Sequence, residues 1–404
     1  MSERADGSGA RSTWTRATRA IHPPELPPQQ GIPVAPQLDL SSTYAFSDTE
    51  DFARASRDKI GAGYVYTRWA NPTIDAFEAA VADLESMGAA EGFASGMAAI
   101  SAIFLGLCSA GDRAVVARQL YGGVHSLVTE ILPRYNIRVD LVDVDDFEKL
   151  DETLPGARLL YCETIGNPAV RLADIDELGR LASAHDLAFV VDNTFASPLL
   201  CRPVEHGATI VVHSATKFLG GHHDLIGGIV CADPGELAPI RSLARDLGPT
   251  MAPFNAWLVL RGLQTLPLRV EASSNSALEI AEFLDHRPDV ANVFYPALPT
   301  SAHKDRAERI LGGRGGGTVA FDVTGGRERA AAFQERLELI DRAASLGGTH
   351  TLIVHAASVT HTQLGPQELM AAGISEGFCR LSVGLEDPRD LIRDLERALD
   401  STPT

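Results

Sequence analysis

Lys217 sits in the run TIVVHSATKFLGG, directly after a stretch that reads as a strand buried on both faces. The chain has four lysines, Lys59, Lys149, Lys217 and Lys304, among 35 basic residues, so arginine is its usual cation. Burial disfavours the charged form of an amine and lowers its pKa, which is what a lysine attacking a carbonyl requires. Ser214 and Thr216 supply hydroxyls beside the amine, and Gly220-Gly221 follow, so a phosphate fits there. A lysine next to a phosphate-holding turn is the arrangement used by pyridoxal phosphate, PLP. That cofactor also needs a carboxylate on its pyridine nitrogen. Asp192, closing the run Phe189-Val190-Val191, points from a strand end at the crevice where α/β proteins bind ligands. The plainer readings are a solvated lysine at a strand end and an aspartate that caps a turn.

Two further elements fit the same chemistry. Ser95-Gly96-Met97 opens an apolar helix, and the free N–H groups and dipole of such a terminus attract an anion. Ordinary N-capping by Ser95 accounts for the same residues. Tyr121, in Leu120-Tyr121-Gly122-Gly123, follows an expected strand and offers a ring to stack on a pyridine. Other constellations are weaker. His213, His222, His223 and Asp224 match no metal-ligand spacing, so no metal is expected. The run Gly312–Gly317 misses a dinucleotide-binding fingerprint because Thr318 stands where the third glycine belongs, and no P-loop occurs. His355 and His361 read as structural.

Positioning these residues requires alternating strands and helices. Strands are expected at Ala114–Arg118, Arg138–Val142, Leu159–Cys162, Phe189–Val191, Ile210–His213 and Gly228–Cys231. Helices are expected at Ile74–Met87, Met97–Cys108, Tyr121–Tyr135 and Ile175–His185. Such alternation, with strands apolar throughout, implies a mostly parallel sheet covered on both faces. A long helical pattern then runs from Pro253 to Leu284 with a kink expected at Pro267. Strands near Thr318–Val323, Thr351–Val354 and Phe378–Val383 follow. The last helix, Pro388–Leu399, begins after Asp387 as N-cap. The fold class is therefore α/β, a large domain with a mostly parallel sheet plus a smaller C-terminal α+β domain. With 404 residues the chain exceeds the roughly 250–300 at which one core stops growing. The expected division is an arm at 1–65, a large domain at 66–262 and a C-terminal domain at 263–404.

Composition limits the partners. There are 53 Asp+Glu against 35 Lys+Arg, a formal charge of −18, which argues against nucleic-acid and anionic-membrane surfaces. Five widely spaced cysteines suggest neither a disulfide framework nor a paired-cysteine site. The first residues, MSERADGSGARSTWTR, lack a secretory apolar core. No apolar stretch reaches the ~18 residues of a membrane span. A cytoplasmic protein acting on a small molecule is the expectation.

The motifs SATK with Asp192, YTRWANPT, SGMAAI, YGG, ETIGNP, SLGG and CRLSVGLED, in that family's order from about residue 18 to 400, resemble the Cys/Met-metabolism family of PLP enzymes. The resemblance implies the PLP-dependent transferase-like fold (aminotransferase fold type I). It makes Lys217 the Schiff-base lysine, Asp192 the partner of the pyridine nitrogen, and Tyr121 the stacking ring and an acid. It implies that Gly96, Met97, Ser214 and Thr216 hold the phosphate, with Asn167 near the cofactor's phenolic oxygen. Tyr66 and Arg68 would reach the cofactor of a neighbouring subunit, in a homotetramer built as a dimer of active dimers. Arg380 would bind the substrate α-carboxylate, with Ser345 nearby. Ala344, just before SLGG, stands where cystathionine γ-synthases and γ-lyases commonly carry Glu. That small apolar side chain points to γ-elimination from methionine. Gly123, where methionine γ-lyases usually carry Cys, and His350, where Glu is usual, point away from it. The alternatives are cystathionine γ-lyase and cystathionine γ-synthase.

Overall fold

The computed structural model describes residues 33–58, 63–359, 369 and 373–403. The chain divides into two units, Met1–Gln37 and Leu38–Thr404. Everything below belongs to the second. Residues 1 to about 30 of the chain, polar and Pro-rich and so expected to form a flexible arm, fall outside the described residues, as do Lys59 and His361.

The elements that build the site, in chain order, are α1 (Pro72–Glu85), β1 (Ala89–Phe93), α2 (Gly96–Leu107), β2 (Arg113–Ala117), α3 (Gly122–Ser126), β3 (Arg138–Val142), β4 (Leu159–Glu163), α4 (Ile175–Ala184), β5 (Ala188–Asp192), β6 (Ile210–His213) and β7 (Gly228–Ala232). They form a seven-stranded sheet in the order β1-β7-β6-β5-β4-β2-β3. The ladders from β3 through β6 are parallel, while β7 runs antiparallel to both β6 and β1. Strands β4, β6 and β7 are buried at every residue, which is why their sequences show no alternation. Strand β1 (AAEGF) was not anticipated, because Ala, Glu and Gly carry little strand signal; its ladder with β7 makes it a strand.

A second sheet holds β8 (Val290–Phe294), β9 (Thr318–Val323), β10 (Asp341–Arg342), β11 (Leu352–His355) and β12 (Phe378–Ser382), in the order β10-β11-β12-β9-β8. Between the sheets in sequence lie α5 (Pro234–Leu247), α6 (Pro253–Leu263) and α7 (Leu266–Asp285). The expected kink is thus a break at Gln264-Thr265, two residues before Pro267. Proline fits the first turn of a new helix but cannot continue an old one. The last helix, α8 (Pro388–Asp400), begins as anticipated, with Asp387 Oδ1 accepting from the Arg389 N–H at 3.0 Å. It buries Leu391, Leu395 and Ala398 on one stripe against the smaller sheet's core.

The stretch Tyr121–Tyr135 is not one regular helix. After α3 it widens to a π-turn over Leu127–Ile131 and tightens to a 3-10 turn over Leu132–Tyr135. Pro133 cannot donate to the ladder and its ring would meet the carbonyl four residues back, so the α pattern ends before it. All five cysteines are free and buried. Among the described residues, no helix is long and apolar enough to cross a membrane.

Candidate active site

Strand order decides which side chains meet. The chain leaves β2 for the edge strand β3, then returns across β2 to β4, so the crevice beyond the ends of β2 and β4 is a topological switch point. Tyr121 follows β2, Glu163 ends β4, Asp192 ends β5 and Ser214 follows β6. The loop from β6 to β7 carries Lys217. Because β7 runs antiparallel to β6, this loop stays at the same end of the sheet. The smaller sheet adds Arg380 from β12 and the segment Ala344-Ser345.

These groups line one cleft of about 390 Å³, within the usual range for ligand sites. Gly96, Met97, Tyr121, Asn167, Asp192, Ser214, Thr216, Lys217, Ala344, Ser345 and Arg380 all reach it. Tyr66 and Arg68 do not line it. Tyr66 is half exposed, and the Arg68 guanidinium lies 5.7 Å from the Tyr66 ring centre and donates to the Arg245 carbonyl.

The Lys217 amine donates to Ser345 Oγ at 2.9 Å. Burial, aided by the Arg380 charge, lowers its pKa from 10.5 to about 8. Asp192 Oδ1 accepts from the Thr194 N–H at 3.0 Å, and Oδ2 accepts from the Tyr161 hydroxyl at 3.3 Å. Burial raises Asp192 above the usual carboxylate range, against those bonds and the nearby His213. A protonated pyridine nitrogen would relieve that cost, so the carboxylate suits the role expected of it.

The phosphate end is equally specific. Ser95 caps α2 by accepting from the Ala98 N–H at 3.1 Å, leaving the first N–H groups of the helix free for an anion. A Cβ on Gly96 would lie 2.8 Å from Ser214 Cβ, so only glycine lets the helix start approach the lysine loop. Thr216 exchanges two hydrogen bonds with Gly227, from hydroxyl to carbonyl at 3.2 Å and from N–H to hydroxyl at 3.0 Å. These bonds close the base of the loop. Lysine, carboxylate, glycine cradle and helix terminus are the donor set that PLP needs.

Arg380 is 3% exposed and donates to Asn167 Oδ1 at 2.7 Å and to the Ser345 carbonyl at 3.1 Å. Its buried Nε has no hydrogen-bond partner among the described residues, so the guanidinium retains a donor for a ligand. Burial lowers it to about 10. Ser345 holds the uncommon φ of +139°, strain of about 1–3 kcal/mol, fixed by bonds to both Arg380 and Lys217.

Glu163 was not singled out from the sequence beyond its place in ETIGNP. It is buried beside Asp192, with which it is in register. Burial and the Asp192 charge push it up to about 8, against two N–H donors and Arg380. The other residues weighed earlier stand apart from the chemistry. His213 bonds Glu85 at 2.6 Å, His222 the Gly220 carbonyl at 2.8 Å, and His355 both Ser358 and the Glu376 carbonyl at 2.8 Å. Lys149 and Lys304 make surface pairs with Glu152 and Glu308.

Residues 17–400 match the profile of the Cys/Met metabolism PLP-dependent enzymes. An L-methionine gamma-lyase of Porphyromonas gingivalis is 40% identical over 95% of this chain and 97% of its own length. An O-succinylhomoserine sulfhydrylase of Pseudomonas aeruginosa is 38% identical over 90% of each. A crystal structure assigned as an O-acetylhomoserine (thiol)-lyase of Campylobacter jejuni superposes with a TM-score of 0.87 at 31% identity, covering 91% of this chain and 96% of that one. It contains N′-pyridoxyl-lysine-5′-monophosphate. The fold and site define a PLP-dependent enzyme of the carbon–sulfur lyase type. The chain belongs to the Cys/Met metabolism PLP-dependent enzyme family.

Proposed function

We propose that the enzyme catalyses γ-elimination from a sulfur amino acid, methionine first, which with one water gives a 2-oxo acid, ammonia and a thiol. One observation carries this choice. Among the described residues, the charged side chains lining the cleft are Glu163, Asp192, Lys217 and Arg380. Asp192, Lys217 and Arg380 are assigned to cofactor or α-carboxylate, and Glu163 is an anion held by the Tyr121 and Asn167 N–H groups. No further cation faces a second carboxylate, as cystathionine or an O-succinyl group would need. Ile165, Phe195, Ile226, Ala344 and Leu346 instead offer apolar wall to a thioether. The 40% identity to a methionine gamma-lyase is matched by 40% identity to an O-succinylhomoserine sulfhydrylase of Mycobacterium tuberculosis, so the cleft lining and not the identity carries the reading.

Bound in the cleft, PLP supplies an electron sink for negative charge at the substrate Cα. The residues assigned to hold it are Lys217, Asp192, Gly96, Met97, Ser214, Thr216, Asn167 and the Tyr121 ring, with Tyr66 and Arg68 of a second copy completing the phosphate end. Arg380 fixes the substrate carboxylate as a planar fork. With its amine lowered to about 8, Lys217 is partly neutral near pH 7 and able to take the Cα proton, with Ser345 Oγ holding it in place. Tyr121, which lines the cleft, is assigned to donate a proton to the departing sulfur. The active unit is a dimer, paired into a tetramer, in a reducing cytoplasm.

The test is incubation of the PLP-loaded enzyme with methionine, with cystathionine, and with O-succinyl- or O-acetylhomoserine plus a thiol, following 2-oxobutyrate and thioether products. Methionine should give 2-oxobutyrate with the highest kcat/KM. Preferential replacement on the O-acyl substrates would instead favour the sulfhydrylase-like reading that the Pseudomonas relative supports.

A further inference from the structure

Glu163 is the end residue of β4 and is only 6% exposed. Its two oxygens serve two different loops. Oε1 accepts from the Tyr121 N–H at 2.7 Å, and Oε2 accepts from the Asn167 N–H at 2.8 Å. The bonds continue around the cleft. Asn167 Oδ1 takes the Arg380 guanidinium at 2.7 Å, Arg380 holds the Ser345 carbonyl at 3.1 Å, and Ser345 Oγ accepts from Lys217 at 2.9 Å. Tyr121 comes from the strand β2 side, Asn167 from the loop after β4, and Arg380 from the smaller sheet. One carboxylate therefore stands where all three must be aligned.

We propose that Glu163 is a positioning residue for the reaction: its side chain braces the Tyr121 turn against the Asn167 loop and, through Asn167, sets the orientation in which Arg380 receives the substrate α-carboxylate. This rests on the assignment of Arg380 as the carboxylate group. The brace needs two acceptor oxygens on one planar group. Glutamine has nearly the same shape but one acceptor, and its NH₂ would face an N–H donor, so one of the two bonds is lost. Aspartate is shorter by one methylene and cannot span both loops from the same strand position. The brace uses the ionised carboxylate, since both oxygens accept, and the two N–H donors and Arg380 oppose the rise in pKa that burial and the Asp192 charge cause.

The experiment compares PLP-loaded wild type, Glu163→Gln and Arg380→Gln. Glycine and glycinamide serve as probes because neither has a γ-substituent to lose. Their dissociation constants are read from the change in bound-cofactor absorbance, alongside kcat and KM for methionine. Wild type should prefer glycine to glycinamide, and Arg380→Gln should erase the preference. Glu163→Gln should keep its bound-cofactor absorbance, lose about tenfold of the preference and lower kcat/KM by about tenfold or more, the scale of one charge-assisted hydrogen bond. Asn167→Ala, which severs the same chain one link further on, should reproduce the lost preference even if Glu163→Gln folds poorly. Full preference in Glu163→Gln or in Asn167→Ala, with Arg380→Gln defective, overturns the brace alone. Full preference in Arg380→Gln overturns the Arg380 assignment and the brace with it.

Discussion

Lys217 shows how far a single side chain is shaped by its surroundings. Its amine is buried next to Arg380 and held by Ser345, and the pKa falls from 10.5 to about 8. The neutral amine is the reactive form, so cofactor capture by the apoenzyme should quicken as pH rises through about 8. Removing the Arg380 charge should move that midpoint upward, though not fully to 10.5, because burial is the larger cause. Absorbance of the bound cofactor during reconstitution from pH 6.5 to 10 would measure it in wild type and in Arg380→Gln. An unchanged midpoint in the variant would discard the electrostatic account. Lys217 and Asp192 were legible in the sequence because a rare lysine and a charge closing an apolar run stand out, whereas Arg380 came through the family resemblance. Glu163 was not legible. An acidic residue at a strand end resembles any turn residue until its neighbours are known, and those neighbours are its whole significance.

At the scale of elements, the strands were readable wherever both faces are apolar, as in β4, β5 and β6. Strand β1 escaped because nothing in AAEGF favours a strand over a helix. The order of strands was not legible either, and it is this order that sets Tyr121 beside Glu163. The start of α2 carries the sharpest consequence. A methyl group on Gly96 would press on Ser214 at 2.8 Å and displace the loop that bears Lys217. Overpacking of this kind costs about 1–3 kcal/mol, so Gly96→Ala should weaken PLP retention roughly 5- to 150-fold. Equilibrium dialysis against PLP would show it, and wild-type retention would mean the loop yields freely.

For the molecule as a whole, Tyr66 and Arg68 lie off the cleft of their own chain, Tyr66 half exposed and Arg68 stacked near it. If they complete the site of a second copy, two inactive variants should rescue each other. Lys217→Ala and Arg68→Ala subunits, mixed after dissociation, should form hybrids with one intact site and regain activity that neither has alone. Persistent inactivity of verified hybrids would confine each site to one chain. The division of labour between cations is visible at this scale too: arginines carry permanent charge even where buried, as Arg380 is, while the amine that must lose its proton is a lysine.

The five cysteines lie wholly inside this assembly of sheets, and burial lifts their thiols, Cys108 to about 11 and Cys379 to about 12. Mixed disulfides form only from thiolates that a partner can reach. Under the proposed elimination, a thiol released from the cleft and its oxidised dimer would find no reachable sulfur on the folded chain to exchange with.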